Sequence, residues 1–155
     1  MDRDEVARGP RPVEPQFIDQ ETENFFSDIE RSGALPKEVS ASDAATAVLC
    51  TLVMQLSGQA QTHEVLELVA TVPPMLQMLI GWCVRHCVRH HEKRPATFNR
   101  QTFLYDIADH LGIETDVAFR VARAVFTAVR ARLSTQEIEK VAPLLPYDLG
   151  EFWRP

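Results

Sequence analysis

The amino-acid sequence predicts an all-α fold made of two tandem helical-bundle repeats with pseudo-symmetry, preceded by a flexible N-terminal arm. The first observation is an internal repeat, because FFSDI at residues 25–29 recurs as FLYDI at residues 103–107. The second is the helical spacing of apolar residues such as Ala44, Val48 and Leu52. No stretch of the sequence alternates apolar and polar residues between turn signals, so we expect no sheet. Duplicated helical units of this kind bury their apolar faces against each other.

Composition divides the chain into four parts. Pro10, Pro12 and Pro15 lie among charged residues near the N-terminus, a composition typical of flexible segments. Pro95 lies in a polar stretch between the two copies of the repeat. The predicted parts are a flexible, Pro-rich acidic arm at residues 1–21, helical repeat one at 22–91, a linker at 92–100 and helical repeat two at 101–155.

Repeat one is expected to contain four helices. Gly33 ends the first, because glycine readily adopts the left-handed conformation that follows many helices. Ser40 is the expected N-cap of the second, with Asp43 three residues later. Pro73 and Pro74 end the third helix and start the fourth, since the residue before a proline avoids the helical conformation. The predicted helices span about residues 22–31, 40–56, 62–71 and 74–91.

Repeat two has clearer helix signals. Gly112 closes its first helix, and Ser134 with Glu137 forms a capping box that starts its third. Val121 and Val125 belong to an apolar stripe that predicts a core-facing central helix. The predicted helices span residues 99–111 and 117–133, followed by one after Ser134 and a short one from Pro146 that carries Leu149, Phe152 and Trp153.

Size and composition favour a cytoplasmic globular protein. The 155 residues include 45% hydrophobic and 25% charged residues, an ordinary globular balance. No apolar run approaches the roughly 20 residues that span a bilayer, so we expect no membrane association, and the N-terminus lacks the apolar region of a secretory signal. Three cysteines are an odd number that does not suggest a disulfide framework, which agrees with a reducing compartment.

The charge distribution is uneven along the chain. The net charge is -6 with histidine neutral, but residues 85–132 carry +4 and the remaining residues carry -10. An acidic protein is a poor general nucleic-acid binder, and helix-turn-helix and arginine-rich signatures are missing from the sequence. We therefore do not expect a nucleic-acid partner.

Residues 83–91 contain the densest cluster of reactive side chains. Cys83, His86, Cys87 and His90 share one helix face, so two of them could chelate a zinc-type ion. One helix cannot supply four tetrahedral ligands, and the candidates for completing the site are His63, Asp106, Asp109 and His110. The alternative is that the cysteines continue the core-facing stripe of the helix while the histidines belong to its basic end. We expect no other cofactor.

A second constellation lies on the central helix of repeat two. Arg120, Arg123 and Arg130 occupy its outer side, with Phe119 and Phe126 beside them. Arginine with exposed aromatic residues is the composition enriched at protein interfaces, which predicts a partner-binding surface. The alternative is a solvated helix face whose phenylalanines pack beneath a neighbouring helix or the other repeat.

Catalytic motifs are missing from the sequence. Asp106, Asp109 and His110 could cluster on one helix, and Asp28 with Glu30 could form a similar group in repeat one. Carboxylates on an amphipathic helix, however, usually face solvent. The sequence has no Gly-rich phosphate loop, no serine elbow and no HExxH helix. We expect a non-enzymatic interaction or adaptor module that binds a protein partner or self-associates. The alternative is a metal-binding or metal-sensing helical domain that uses residues 83–91.

Repeat two has a recognisable set of residues within 102–153. They are the segment 103–107 with Leu111 and Gly112, then Ala122, Val125, Phe126, Val129, Arg132, Leu133 and Ser134, and finally Leu144, Leu145, Pro146, Leu149, Phe152 and Trp153. Through these residues it resembles a bacterial family known only as domain of unknown function 2267. Repeat one matches more weakly, through residues 79–82. The resemblance implies an all-helical, often tandem, cytoplasmic bacterial domain, and it supplies no activity, cofactor or catalytic residue.

Overall fold

The structure, a computed structural model, describes residues 20–59 and 99–155. Within these two ranges the chain forms α-helices and one short 3₁₀ helix and contains no strand, which confirms the predicted all-α class. Pseudo-symmetry between the repeats stays a prediction. The helices are α1 (Gln20–Arg31), α2 (Ala41–Gln59), α3 (Arg100–Leu111), α4 (Thr115–Arg130), α5 (Thr135–Val141) and α6 (Tyr147–Trp153), with the 3₁₀ helix at Ala142–Leu144 between α5 and α6.

Several helix ends follow the predicted capping residues. The Ser40 hydroxyl accepts a hydrogen bond from the backbone N–H of Asp43, and Ser134 and Glu137 form the predicted capping box. Gly33 and Gly112 follow α1 and α3 with φ angles of 74° and 66°, the left-handed region that glycine adopts without strain. A further capping box, not among the predicted ones, joins Asn99 and Thr102 at the start of α3.

Other helix boundaries differ from the predicted ones. Helix α1 begins at Gln20, two residues early, and α2 continues past Leu56 to Gln59. Helix α4 spans Thr115–Arg130 rather than residues 117–133. It ends early because the chain tightens after Arg130: the N–H groups of Arg132 and Leu133 bond to carbonyls three residues back, before Ser134 starts α5.

One hydrophobic core joins helices from both predicted repeats. Helices α1 and α2 pack on each other, and both also contact α4, while α2 contacts α3. Residues that occupy repeated positions are buried in both copies, because these positions form the helix faces that meet at the centre. These pairs are Phe25 with Phe103 and Ile29 with Ile107, 78 positions apart, and Val48 with Val125 and Leu52 with Val129, 77 positions apart.

The C-terminal segment closes one side of this core. Trp153 of α6 is fully buried, and its indole N–H donates to the backbone carbonyl of Ile138 in α5 at 2.9 Å. Gly150 allows α6 to approach the 3₁₀ helix closely, since a Cβ atom there would lie 3.1 Å from the carbonyl oxygen of Ala142. The aromatic ending seen in the sequence is therefore a structural anchor.

Several predictions concern residues outside the described ranges. These are most of the N-terminal arm, the third and fourth helices of repeat one, and most of the linker before α3. Among the described helices, none combines the length and apolar character needed to cross a membrane.

Candidate protein-binding cleft

An open cleft of about 570 Å³ lies between the C-terminal end of α1 and the outer face of α4. One wall comes from α1 and the residues that follow it, and the other wall comes from α4. The lining residues are Asp28, Ser32, Gly33, Ala34, Phe119, Arg120, Arg123, Ala124, Thr127, Ala128 and Ala131. The cleft contains Arg120 and Arg123, two of the predicted partner-binding residues, and its second wall comes from α1, for which no partner-binding residue is predicted.

The helical periodicity of α4 places the charged residues of the cleft at its rim and the apolar residues at its base. Arg120, Arg123 and Thr127 are exposed, whereas Ala124 and Ala128 are buried at the base of the same face. Positions three and four residues apart lie on one side of a helix, so these residues form a contiguous surface. Alanine has the shortest apolar side chain, and the base of the cleft therefore leaves room for another chain to approach the α4 backbone.

The two exposed arginines are not neutralised by neighbouring carboxylates. In the described part of the chain, no Asp or Glu forms an ion pair with Arg120 or Arg123. Asp116 lies one turn before Arg120 but makes no ion pair with it in these ranges, although that spacing permits one. The cleft therefore presents two positive charges to solvent.

Asp28 faces the cleft, but its carboxylate already has two partners. It accepts hydrogen bonds from Arg31 at 2.8 Å and from Arg132 at 3.1 Å. Arg132 also donates to the carbonyl of Ala128 at 2.8 Å, and its guanidinium lies 5.1 Å from the centre of the Phe25 ring. These contacts join α1 to the end of α4 and hold the two walls of the cleft in place.

Arg130 has a different environment from the other two predicted arginines. Its guanidinium donates to the backbone carbonyl of Trp153 at 2.7 Å and to the hydroxyl of Thr127 at 3.1 Å. Burial and, to a smaller extent, the positive charge of Arg123 lower the pKa of Arg130. This side chain is engaged at the C-terminal end of α6, and its role in binding a partner stays a prediction.

The two phenylalanines predicted to bind a partner also differ in burial. Phe126 is fully buried against Trp153 and Phe152, so the prediction that it contacts a partner is wrong, and the alternative of packing beneath a neighbouring helix is correct for it. Phe119 is half-buried and lines the cleft, with its ring stacked on Phe152 at 4.9 Å and Arg100 5.9 Å from its centre. Only Phe119 keeps a surface that a partner can contact.

The predicted metal site lies outside the described ranges. Cys83, His86, Cys87 and His90 therefore stay a sequence prediction. Asp106, Asp109 and His110, which were candidates for completing that site or for catalysis, are exposed on α3. Across residues 20–59 and 99–155, no three His, Cys, Asp or Glu side chains are grouped so that they could hold a metal ion.

The α1 wall could not have been predicted from local patterns. Asp28 and Arg132 are 104 positions apart, and neither local spacing nor composition links them. The only available signal was the repetition of the FFSDI motif, which marks residues 25–29 as structurally important without naming a partner for Asp28.

Fold and cleft together define an all-helical protein whose candidate site is an open, arginine-lined surface rather than an enclosed pocket. The family described as "Uncharacterized conserved protein (DUF2267)" has a model that matches residues 22–152, and the chain belongs to this family. The match confirms the resemblance seen in the sequence and extends it over both predicted repeats. No curated protein and no solved structure matches the chain.

Proposed function

We propose that this protein is a non-catalytic interaction module that binds a protein partner through the cleft between α1 and α4. The observation that carries the proposal is the pair Arg120 and Arg123, both exposed and both without a carboxylate partner in the described ranges, above a base of buried alanines. Arginine is enriched at protein interfaces because its planar guanidinium binds carboxylates in a bidentate geometry.

The shape of the cleft favours a macromolecular partner over a small molecule. Small-molecule sites bury most of the surface of their ligand, whereas this cleft is open along one side. Its alanine base suits a chain that packs closely along α4, and its two positive charges suit an acidic segment of that chain. Asp28 and Asp116 near the same face, together with the overall charge of -6, argue against nucleic acid.

A photocrosslinking experiment in cells that produce the full chain tests the proposal. Benzoylphenylalanine replaces Thr127, which is exposed in the cleft, and in a control protein it replaces Tyr147, which is 82% exposed on α6 and outside the cleft. We expect a discrete protein adduct from position 127 and none of the same mass from position 147.

Charge reversal then identifies the residues responsible. Arg120→Glu with Arg123→Glu is expected to remove the adduct from position 127. Lys37→Glu with Lys140→Glu changes the net charge equally at exposed positions outside the cleft, and the adduct is expected to persist. An adduct that survives reversal of both arginines, or no adduct from position 127, would overturn the proposal.

A further inference from the structure

We infer that the partner of the cleft is a second copy of this chain, in a two-fold symmetric dimer that pairs the acidic outer face of α1 with Arg120 and Arg123 of α4. The inference rests on the proposed function, because it names the occupant of the same cleft. It is carried by charge complementarity between two neighbouring helices of one subunit.

Two exposed glutamates, Glu23 and Glu30, form what is here called the acidic face of α1. Their spacing of seven residues, two helical turns, places them on the same side of the helix. Within the described residues, no basic side chain forms an ion pair with either of them. The basic residue Arg31 at the end of α1 is already paired with Asp28. This face therefore presents uncompensated negative charge.

An apolar groove lies next to the acidic face. It has a volume of about 490 Å³, and Glu30 lines it together with Phe26, Leu35, Pro36 and Val39. Interfaces between proteins combine apolar contact area with polar groups at the rim. The groove supplies apolar area beside Glu30, while the alanine base of the cleft supplies it beside Arg120 and Arg123.

Two-fold symmetry makes these surfaces self-complementary. In a symmetric dimer the same patch occurs on both subunits, so a contact from one helix to another occurs twice. Helices α1 and α4 pack side by side in one subunit. A two-fold axis at this edge sets α1 of each copy against α4 of the other, and each acidic face then meets a pair of arginines.

The oligomeric state of the full chain in solution tests the inference directly. By light scattering after size exclusion at about 0.5 mM, we expect a mass that approaches twice the 17.5 kDa of one chain, because a dimer with a Kd well below this concentration is almost fully formed. Arg120→Glu with Arg123→Glu should give a monomer, and so should Glu23→Lys with Glu30→Lys, because each variant places like charges against each other. The control Asp109→Lys with Glu114→Lys changes charge at exposed positions of other segments and should stay dimeric.

Mixing the two monomeric variants is the decisive step. A mixed dimer has two contacts between α1 and α4. One keeps the native glutamates and arginines, and the other pairs the introduced lysines with the introduced glutamates. The equimolar mixture should therefore dimerise, although neither variant does so alone. A monomeric wild type, a dimer that both charge-reversed variants retain, or a mixture that stays monomeric would overturn the inference. A wild-type monomer that still gives an adduct with a different protein from position 127 would overturn the inference alone and leave the proposed function standing.

Discussion

Four arginines in and just after α4 have distinct environments although they share one residue type. Arg120 and Arg123 are exposed in the cleft, Arg130 is engaged at the end of α6, and Arg132 joins α4 to α1. A guanidinium can donate several hydrogen bonds and stack on an aromatic ring, so its role depends on the acceptors and rings within reach. Helical periodicity identifies the outer face of α4 but does not show which arginines find acceptors there.

Arg132 is expected to contribute to stability, whereas Arg31 is not, although both bind the same carboxylate. The Arg132 side chain is 18% exposed and that of Arg31 is 74% exposed. Arg132→Ala removes the ion pair, the hydrogen bond to Ala128 and the contact with Phe25, and should lower the free energy of unfolding by about 2 kcal/mol. Arg31→Ala should change it by less than about 0.5 kcal/mol, as is usual for solvent-exposed pairs. Urea denaturation followed by circular dichroism measures both, and equal losses would contradict this assignment.

At the scale of elements, helix ends were the features that local sequence predicted best. Ser40, Ser134 with Glu137, Gly33 and Gly112 act over three or four residues, and the structure shows each of them at a helix end. In the capping box of α5, hydrogen bonds from the backbone and hydroxyl of Ser134 lower the pKa of Glu137. The end of α4 was less predictable, because its apolar pattern continues past Arg130 while the backbone hydrogen bonds change to the tighter 3₁₀ type.

The attachment of α6 depends on a contact that no local pattern contains. The carbonyl of Trp153 lies at the last residue of α6 and accepts its hydrogen bond from Arg130, 23 positions earlier in the chain. Cationic groups at helix C-termini also interact favourably with the helix dipole. The side chain of Arg130 therefore caps α6.

Replacing Arg130 tests how much this cap contributes to stability. Arg130→Met keeps the length of the side chain but leaves the Trp153 carbonyl without its donor, and should lower the free energy of unfolding by about 1–2 kcal/mol. Arg120→Met, on the same helix but exposed, should change it by less than about 0.5 kcal/mol. Thermal melts of the two variants, compared with wild type, make the measurement. If Arg120→Met were the more destabilising change, the cap would not have the role assigned to it.

At the scale of the whole molecule, the described helices behave as one packing unit. Phe25, Ile29, Val48 and Leu52 of the first predicted repeat belong to the same buried cluster as Phe103, Ile107 and Phe126 of the second. The boundary that the repeat suggests in the sequence is therefore not a boundary in the core of the described residues. Their stability should be shared across both copies of the repeat.

Equivalent core substitutions test this shared stability. Ile29→Ala and Ile107→Ala each remove a fully buried side chain, and each should lower the free energy of unfolding by about 3 kcal/mol. Because one core contains both, each variant should unfold in a single transition, with circular dichroism and tryptophan fluorescence giving the same midpoint. Two separate transitions, with each substitution affecting only one of them, would show that the copies fold independently.

The sequence alone was sufficient for the all-α class, for many of the helix ends and for the family, because these depend on apolar periodicity, on capping residues a few positions apart and on a motif that recurs. It also selected the helix that carries the cleft. Which side chains on that helix are free to bind a partner depended on tertiary packing. Arg130 and Phe126 turn to α6 and the aromatic core, while Arg120 and Arg123 remain in solvent beside α1. The contacts of Arg130 and Phe126 with Trp153, far along the chain, made that distinction, and local spacing carries no information about them.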